Sequence, residues 1–247
     1  MSNRSLYREM MKNPRMVSFT VKIKETDLWV AVDKANYCPE LEKMLEDYIW
    51  SLRSRLENYI RNYPEFQKTL EPFIIESAGV PDFILDMVRA GNLLNIGPMA
   101  AVAGTFAEKA GRFLLEKTEE VIVENGGDIF LKTNEPCRIG VFAGSSPLSQ
   151  KVALEIQGED TPLGVCASSG SLGHSYSKGR ADAVVIIAPS ASLADAAATA
   201  ICNMVKKETD VKDAAESASK INGISGALVI YGDRMGAWGN IKLCKTG

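Results

Sequence analysis

Six consecutive apolar residues, Ala183 to Ala188 (A-V-V-I-I-A), constrain the fold more than any other stretch. A run this short with no polar face reads as a central strand. It sits in the middle of Gly164–Asn203, which holds a loop rich in Gly and Ser, the chain's only histidine and, after the strand, an Ala-rich helix. Other strands come as hairpins, with helices grouped between them. That order predicts an α+β fold rather than a doubly wound α/β one.

Val17–Ile23 alternates apolar and polar residues, Leu28–Val32 is a second strand, and K-E-T-D (Lys24–Asp27) is the turn between them. That turn reads as solvated, with an acidic pair that could also face a ligand. Pro39–Tyr63 carries Leu41, Leu45, Tyr48, Leu52 and Leu56 at three- or four-residue spacing, the stripe of an amphipathic helix. A further helical stretch starts near Glu65, and a third helix covers Phe83–Arg89 after S-A-G-V-P-D. Arg138–Ala143 and Val152–Ile156 read as strands, with the loop G-S-S-P-L-S-Q between them. Lys206–Ile221 reads as an outer amphipathic helix, Ala227–Tyr231 as a core strand, G-D-R-M-G-A-W-G-N as a turn, and Ile241–Cys244 as a closing strand. No repeat or linker divides the 247 residues. The expected organisation is one domain over 1–247, or two intertwined α+β lobes.

Composition excludes several classes of partner. A net charge of −3 leaves no basic footprint for nucleic acid. No apolar run approaches the roughly 18 residues of a membrane span. The N-terminus, M-S-N-R-S-L-Y-R-E-M-M-K, has no apolar core of a leader, so a cytoplasmic location is expected. Five cysteines without a C-x-x-C pair point away from a zinc or iron–sulfur motif and towards a reducing compartment. A homodimer is the default assembly for such a chain.

Four motifs could carry chemistry. In N-I-G-P-M-A-A-V-A-G, Gly97 and Pro98 fit a helix start, and the small residues after them fit close helix packing. Free N–H groups at such a start can also hold phosphate. In V-I-V-E-N-G-G-D-I-F-L-K, Asn125, Gly126 and Gly127 form a hairpin signal that leaves Asp128 unexplained. In A-S-S-G-S-L-G-H, Ser168, Ser169 and Gly170 could form an anion nest, and there is no G-K-[ST] of a Walker loop. Lys178 and Arg180 follow, either facing phosphate or solvated. His174, the lone histidine, excludes a multi-histidine metal cluster within one chain and could act as a general base. Last, Ser192-x-x-Asp195 has the pattern of a capping box, in which Asp195 serves only the helix start. Asp195 and Thr199 also share one helix face, a carboxylate and hydroxyl of the kind that hold Mg²⁺ together with phosphate oxygens and water.

The order of these motifs resembles the ApbE-like family of FAD:protein FMN transferases, and most closely a cytoplasmic branch of that superfamily. The resemblance implies an α+β fold with helices against a mostly antiparallel sheet. It implies that Gly97 and Pro98 line a flavin site, that Gly126, Gly127 and Asp128 lie beside the nucleotide, and that Ser168, Ser169 and Gly170 form the family's Ser-Gly loop. Asp195 and Thr199 match the family's D-x-x-x-T, which holds Mg²⁺ at the FAD pyrophosphate. His174 occupies the interval of the transferases' H-x-I-x-D-P-x-T-G, but this chain has no D-P-x-T-G. FAD and Mg²⁺ are thus the implied cofactors, with His174 as the base of pyrophosphate cleavage or nucleotidyl transfer. The rival is a non-catalytic protein that binds flavin or delivers it to a partner or acceptor protein. The branch's association with anaerobic sulfur (homocysteine) metabolism would suit that role. A third reading is a relic fold acting through protein contacts alone.

Overall fold

A computed structural model describes residues 14–76, 78–170 and 179–246. Its frame is an eight-stranded, wholly antiparallel sheet. The hairpin β1 (Met16–Ile23) and β2 (Thr26–Asp33) forms one end, followed by β3 (Val121–Asn125), β4 (Asp128–Lys132), β7 (Leu163–Ser168), β8 (Ala183–Ala188), β9 (Gly226–Tyr231) and β10 (Arg234–Gly239). β5 (Cys137–Gly140), β6 (Val152–Ile156) and β11 (Leu243–Lys245) form a separate three-stranded sheet.

The all-apolar strand is explained by what covers it. Val184, Ile186 and Ala188 belong to the core under the helices, while Ala183, Val185 and Ile187 belong to the core shared with β5, β6 and β11. Alternate residues of β8 thus enter two different cores, and neither face can carry a polar side chain. β9 behaves the same way, with Ala227 and Val229 on one side and Leu228 and Ile230 on the other.

The helical layer comprises α1 (Pro39–Asn62), the single turn α2 (Glu65–Lys68), α3 (Asp82–Leu93), α4 (Val102–Leu115), α5 (Ala191–Met204) and α6 (Val211–Ser217). α1 buries the expected stripe, extended by Ile49 and Tyr59. Tyr48 of α1 stacks on Phe113 of α4 at 4.4 Å between ring centroids. α4 and α5 have the closest association of the layer. A Cβ on Gly104 would lie 2.3 Å from the Ala191 carbonyl oxygen, so only glycine allows this approach.

Several expectations shift. Pro98 begins a 3₁₀ turn, Pro98–Ala101, and the α-helix proper starts at Val102. The outer helix over 206–221 is broken into α6 flanked by 3₁₀ turns at Glu208–Asp210 and Ala218–Lys220. The segment read as one long turn after Tyr231 is a strand, β10, whose hairpin turn is Gly232 and Asp233 alone. Its glycines misled the pattern. Gly236 is there because a Cβ would lie 2.9 Å from the Val211 carbonyl of α6. Glu25 of the K-E-T-D turn and Glu57 of α1 both engage Arg53 of α1, and the Glu25 carboxyl is held below its usual range by its own backbone N–H and that guanidinium. This turn is tied to α1.

The difference between core and edge makes a graded prediction. Ile186 is wholly buried between α5 and the sheet, so Ile186→Ala is expected to cost about 2–5 kcal/mol in denaturant unfolding. Met235 is 44% exposed on the edge strand, and Met235→Ala is expected to cost under about 0.5 kcal/mol in the same assay.

Candidate functional site

The hairpin β3–β4 turns through Gly126 (φ 70°) and Gly127 (φ 110°), closed by the pair Asn125 and Asp128. Both glycines occupy the left-handed region, as the N-G-G signal predicts. Asn125 donates its side-chain amide to the Ala103 carbonyl at 3.1 Å, which ties the turn to the start of α4. Asp128, directly after the turn, faces the helical layer because it shares the face of Phe130. It is buried, and its Oδ1 accepts the Ala167 N–H at 3.3 Å.

β7 brings a second strip to the same face. Cys166 is fully buried, its Sγ 3.4 Å from the Ala191 carbonyl and against the Asp128 carboxyl. Ser168, two residues on, is also buried, and its Oγ has no hydrogen-bond partner among the described residues. A buried hydroxyl left without a partner costs free energy, so the observation calls for an account.

Asp195 enters from α5. The capping-box expectation fails here. The N-cap of α5 is Ser190, whose hydroxyl accepts the Leu193 N–H, and Glu108 of α4 accepts the N–H groups of Ala191 (2.7 Å) and Ser192 (3.4 Å). Relieved of that task, Asp195 turns to the other helix. Its Oδ2 accepts the Gly104 N–H at 2.8 Å, with the Ala103 N–H also engaged. Glu108 is a site neighbour that sequence reasoning missed. Its cross-helix role leaves no trace in the spacing of α5.

The two aspartates are electrostatically linked. Burial pushes the Asp195 carboxyl up to about 7, against the pull of the Gly104 and Ala103 N–H groups. Burial, and then the charge of Asp195, push Asp128 well above the usual carboxylate range. Burial likewise raises the Cys166 thiol, with both aspartates adding to it, so this sulfur is held as an unreactive thiol.

The structure therefore brings together the Gly126–Gly127 turn, Asp128, Ser168 and Asp195, with Thr199 one turn further along α5 and half-buried. Ser169 and Gly170 continue from Ser168, and the Gly170 N–H donates to the Ala181 carbonyl at 2.9 Å, which closes the base of the Gly/Ser loop. Gly179 packs on the Cys202 carbonyl of α5. Arg180 is exposed, and its N–H donates to the Val205 carbonyl. His174 and Lys178 lie outside the described residues. Gly97 and Pro98 are buried beside α5, but Gly97 is accounted for by packing, since a Cβ there would lie 2.0 Å from the Thr69 carbonyl oxygen. Among the described residues no group of three or more His, Cys, Asp or Glu could hold a metal ion. None of the described helices is long and apolar enough to cross a membrane.

The family model described as AbpE bacteria matches residues 8–231. The chain belongs to this family. A UPF0280 protein of Methanococcus aeolicus is 38% identical over 237 residues, covering 94% of each chain. One from Methanocaldococcus jannaschii is 40% identical over 230 residues, covering 91% of each. Among solved structures, the fold is similar to the flavinyl transferase ApbE of Pseudomonas stutzeri, with a TM-score of 0.56 at 16% identity over 90% of this chain and 94% of that one. It is similar also to the flavin transferase ApbE of Vibrio cholerae, with a TM-score of 0.55 at 15% identity over 94% of this chain and 97% of that one. The ApbE-like architecture expected from the motifs is thus the one observed.

The acid pair sets the sign of a pH effect. Carboxyls whose pKa is raised by folding keep protons that the unfolded chain releases. The contribution of Asp195 is full below about pH 4 and is lost as pH rises through about 7. The lowered carboxyl of Asp33, which accepts the Glu119 and Glu120 N–H groups, acts in the opposite direction. Comparison with Asp195→Asn cancels that term, and asparagine keeps an acceptor for Gly104. In metal-free buffer the variant's melting temperature is expected to gain on the wild type between pH 5 and 8. A constant difference would show that Asp195 ionises normally.

Proposed function

We propose that this ApbE-like protein binds a flavin nucleotide, FAD in the first instance, with Mg²⁺ at Asp195 and Thr199 and the pyrophosphate between the Gly126–Asp128 turn and Ser168. One observation carries the reading. Two buried carboxyls converge beside the N-terminus of α4 with a buried Ser168 hydroxyl that has no partner among the described residues; burial holds both acids above their usual range, and the charge of Asp195 adds to it at Asp128. Such a donor set fits a divalent cation, whose charge would offset the repulsion. The described residues supply too few ligands for a site built from protein alone, which fits Mg²⁺ completed by phosphate oxygens and water. The flavin transferases of similar fold suggest the ligand class.

Each residue then has a task. Asp195, oriented by the Gly104 N–H, and Thr199 offer oxygens to the cation. Asp128 is fixed by the Ala167 N–H, and Ser168, without a partner among the described residues, donates its O–H to a phosphate oxygen. Gly126 and Gly127 keep the turn free of side chains that would block the approach. When bound, the cation neutralises charge developing on the pyrophosphate. His174 is the proposed base for cleavage or transfer, on its sequence position alone. The missing D-P-x-T-G, which helps shape the acceptor's place in the transferases, predicts weak FMN transfer to an acceptor protein.

Calorimetric titration with FAD, with and without MgCl₂, tests the site. The wild type is expected to bind FAD in a Mg²⁺-dependent manner. Asp195→Asn and Ser168→Ala are each expected to weaken binding by about tenfold or more, and Asp128→Ala to abolish it with near-normal melting. Affinity unchanged by metal and by all three substitutions would overturn the proposal. If the wild type turns FAD over, His174→Ala is expected to abolish turnover and leave FAD affinity within about twofold.

A further inference from the structure

Two five-residue segments, G-T-F-A-E (Gly104–Glu108) of α4 and A-S-L-A-D (Ala191–Asp195) of α5, share one pattern: small, hydroxyl, apolar, Ala, acid. They meet at the closest approach of the two helices, and the matched positions exchange equivalent bonds. The acid of α4, Glu108, accepts the N–H of Ala191, the small residue of α5, at 2.7 Å. The acid of α5, Asp195, accepts the N–H of Gly104, the small residue of α4, at 2.8 Å. The two hydroxyls meet between them, with Thr105 Oγ1 and Ser192 Oγ hydrogen-bonded at 2.8 Å. Each helix start, with N–H groups that lack an intrahelical partner, is thus held by a carboxylate of the other helix, that of α4 by Asp195 and that of α5 by Glu108.

We infer that this reciprocal lock makes Glu108 a positioning residue for Asp195, one that sets the site's acid without touching any ligand. Glu108 is itself aimed by Arg112, whose Nε and terminal nitrogen both lie 2.8 Å from Oε1, leaving Oε2 for the start of α5. Oε2 also accepts the Ser190 hydroxyl at 3.2 Å. One carboxylate therefore fixes where α5 begins, and Asp195 stands one turn along from that fixed point. If the first turn of α5 loosens, Asp195 loses its place against Gly104. The effect on ligand binding rests on the function proposed above. The effect on Asp195 does not.

The test separates the two. Amide hydrogen exchange in wild type, Glu108→Ala and Glu108→Gln reads the Asp195–Gly104 bond at the Gly104 N–H, with Val185 of β8 as a probe of global opening. The glutamine variant keeps the size and one acceptor should the alanine variant fail to fold. Gly104 exchange is expected to accelerate about tenfold in Glu108→Gln while Val185 stays within about twofold. Acceleration by the same factor at both amides, or at neither, would overturn the positioning role. In the Mg²⁺–FAD titration, Glu108→Gln is expected to weaken binding about tenfold, whereas Asp33→Asn, a capping change far along the sheet, leaves it unchanged. Selective exchange at Gly104 with wild-type affinity would overturn the link to the site. A wild type that binds no nucleotide would sink the proposed function and leave the positioning of Asp195 to the exchange result.

Discussion

The contact of α4 with α5 is the constraint on which the candidate site depends. Two helices start beside each other, and the N–H groups there need acceptors in a place that water does not fill. The fold meets that need with carboxylates supplied across the contact, Glu108 to Ala191 and Asp195 to Gly104. The approach is close enough to exclude even a methyl group at Gly104. A structural requirement has therefore delivered a buried acid to one definite point, against the strands that carry Asp128 and Ser168.

The sheet supplies the opposite wall by period-two alternation. Asp128 shares a face with Phe130, and Ser168 one with Cys166, while Ile129, between the first pair, and Val165, just before Cys166, enter the second core. The three-stranded sheet behind them makes this alternation strict. With apolar layers on both sides, a register slip of one residue would bury Asp128 among Leu131, Leu154 and Val165. The second sheet, remote from the site, thus helps to hold Asp128 on the correct side.

Much of this was legible in the sequence, and the failures have physical causes. A-V-V-I-I-A, the α1 stripe and N-G-G each carry their structure in local pattern, and the structure bears out all three. The role of Asp195 was not readable locally. Ser192-x-x-Asp195 satisfies the capping-box spacing, yet the N–H groups at the start of α5 are taken by Ser190 and by Glu108, which lies 83 positions from Ala191 in the chain. Competition between a local and a distant acceptor cannot be seen in a spacing. β10 failed for the related reason that its glycines answer to α6 packing and not to turns. The order of the family motifs carried the ApbE-like fold, which the structure bears out.

The placement of Asp195 is a balance of opposed effects. The start of α4 directs N–H groups at its carboxylate and favours the charged form. Burial favours the neutral form, and a charge on Asp195 in turn holds Asp128 neutral. A carboxyl balanced near 7 sits between a plain cap, which would be ionised and satisfied, and a plain core acid, which would be permanently protonated. Added positive charge tips such a group at small cost, because the N–H groups that stabilise the anion are already in position and need not reorganise. Removing one of those N–H donors would strand the acid in its neutral form, and removing the acid would strand the helix start. Capping and the site's charge are therefore one interaction, and the lock that holds α4 to α5 also sets how readily Asp195 ionises.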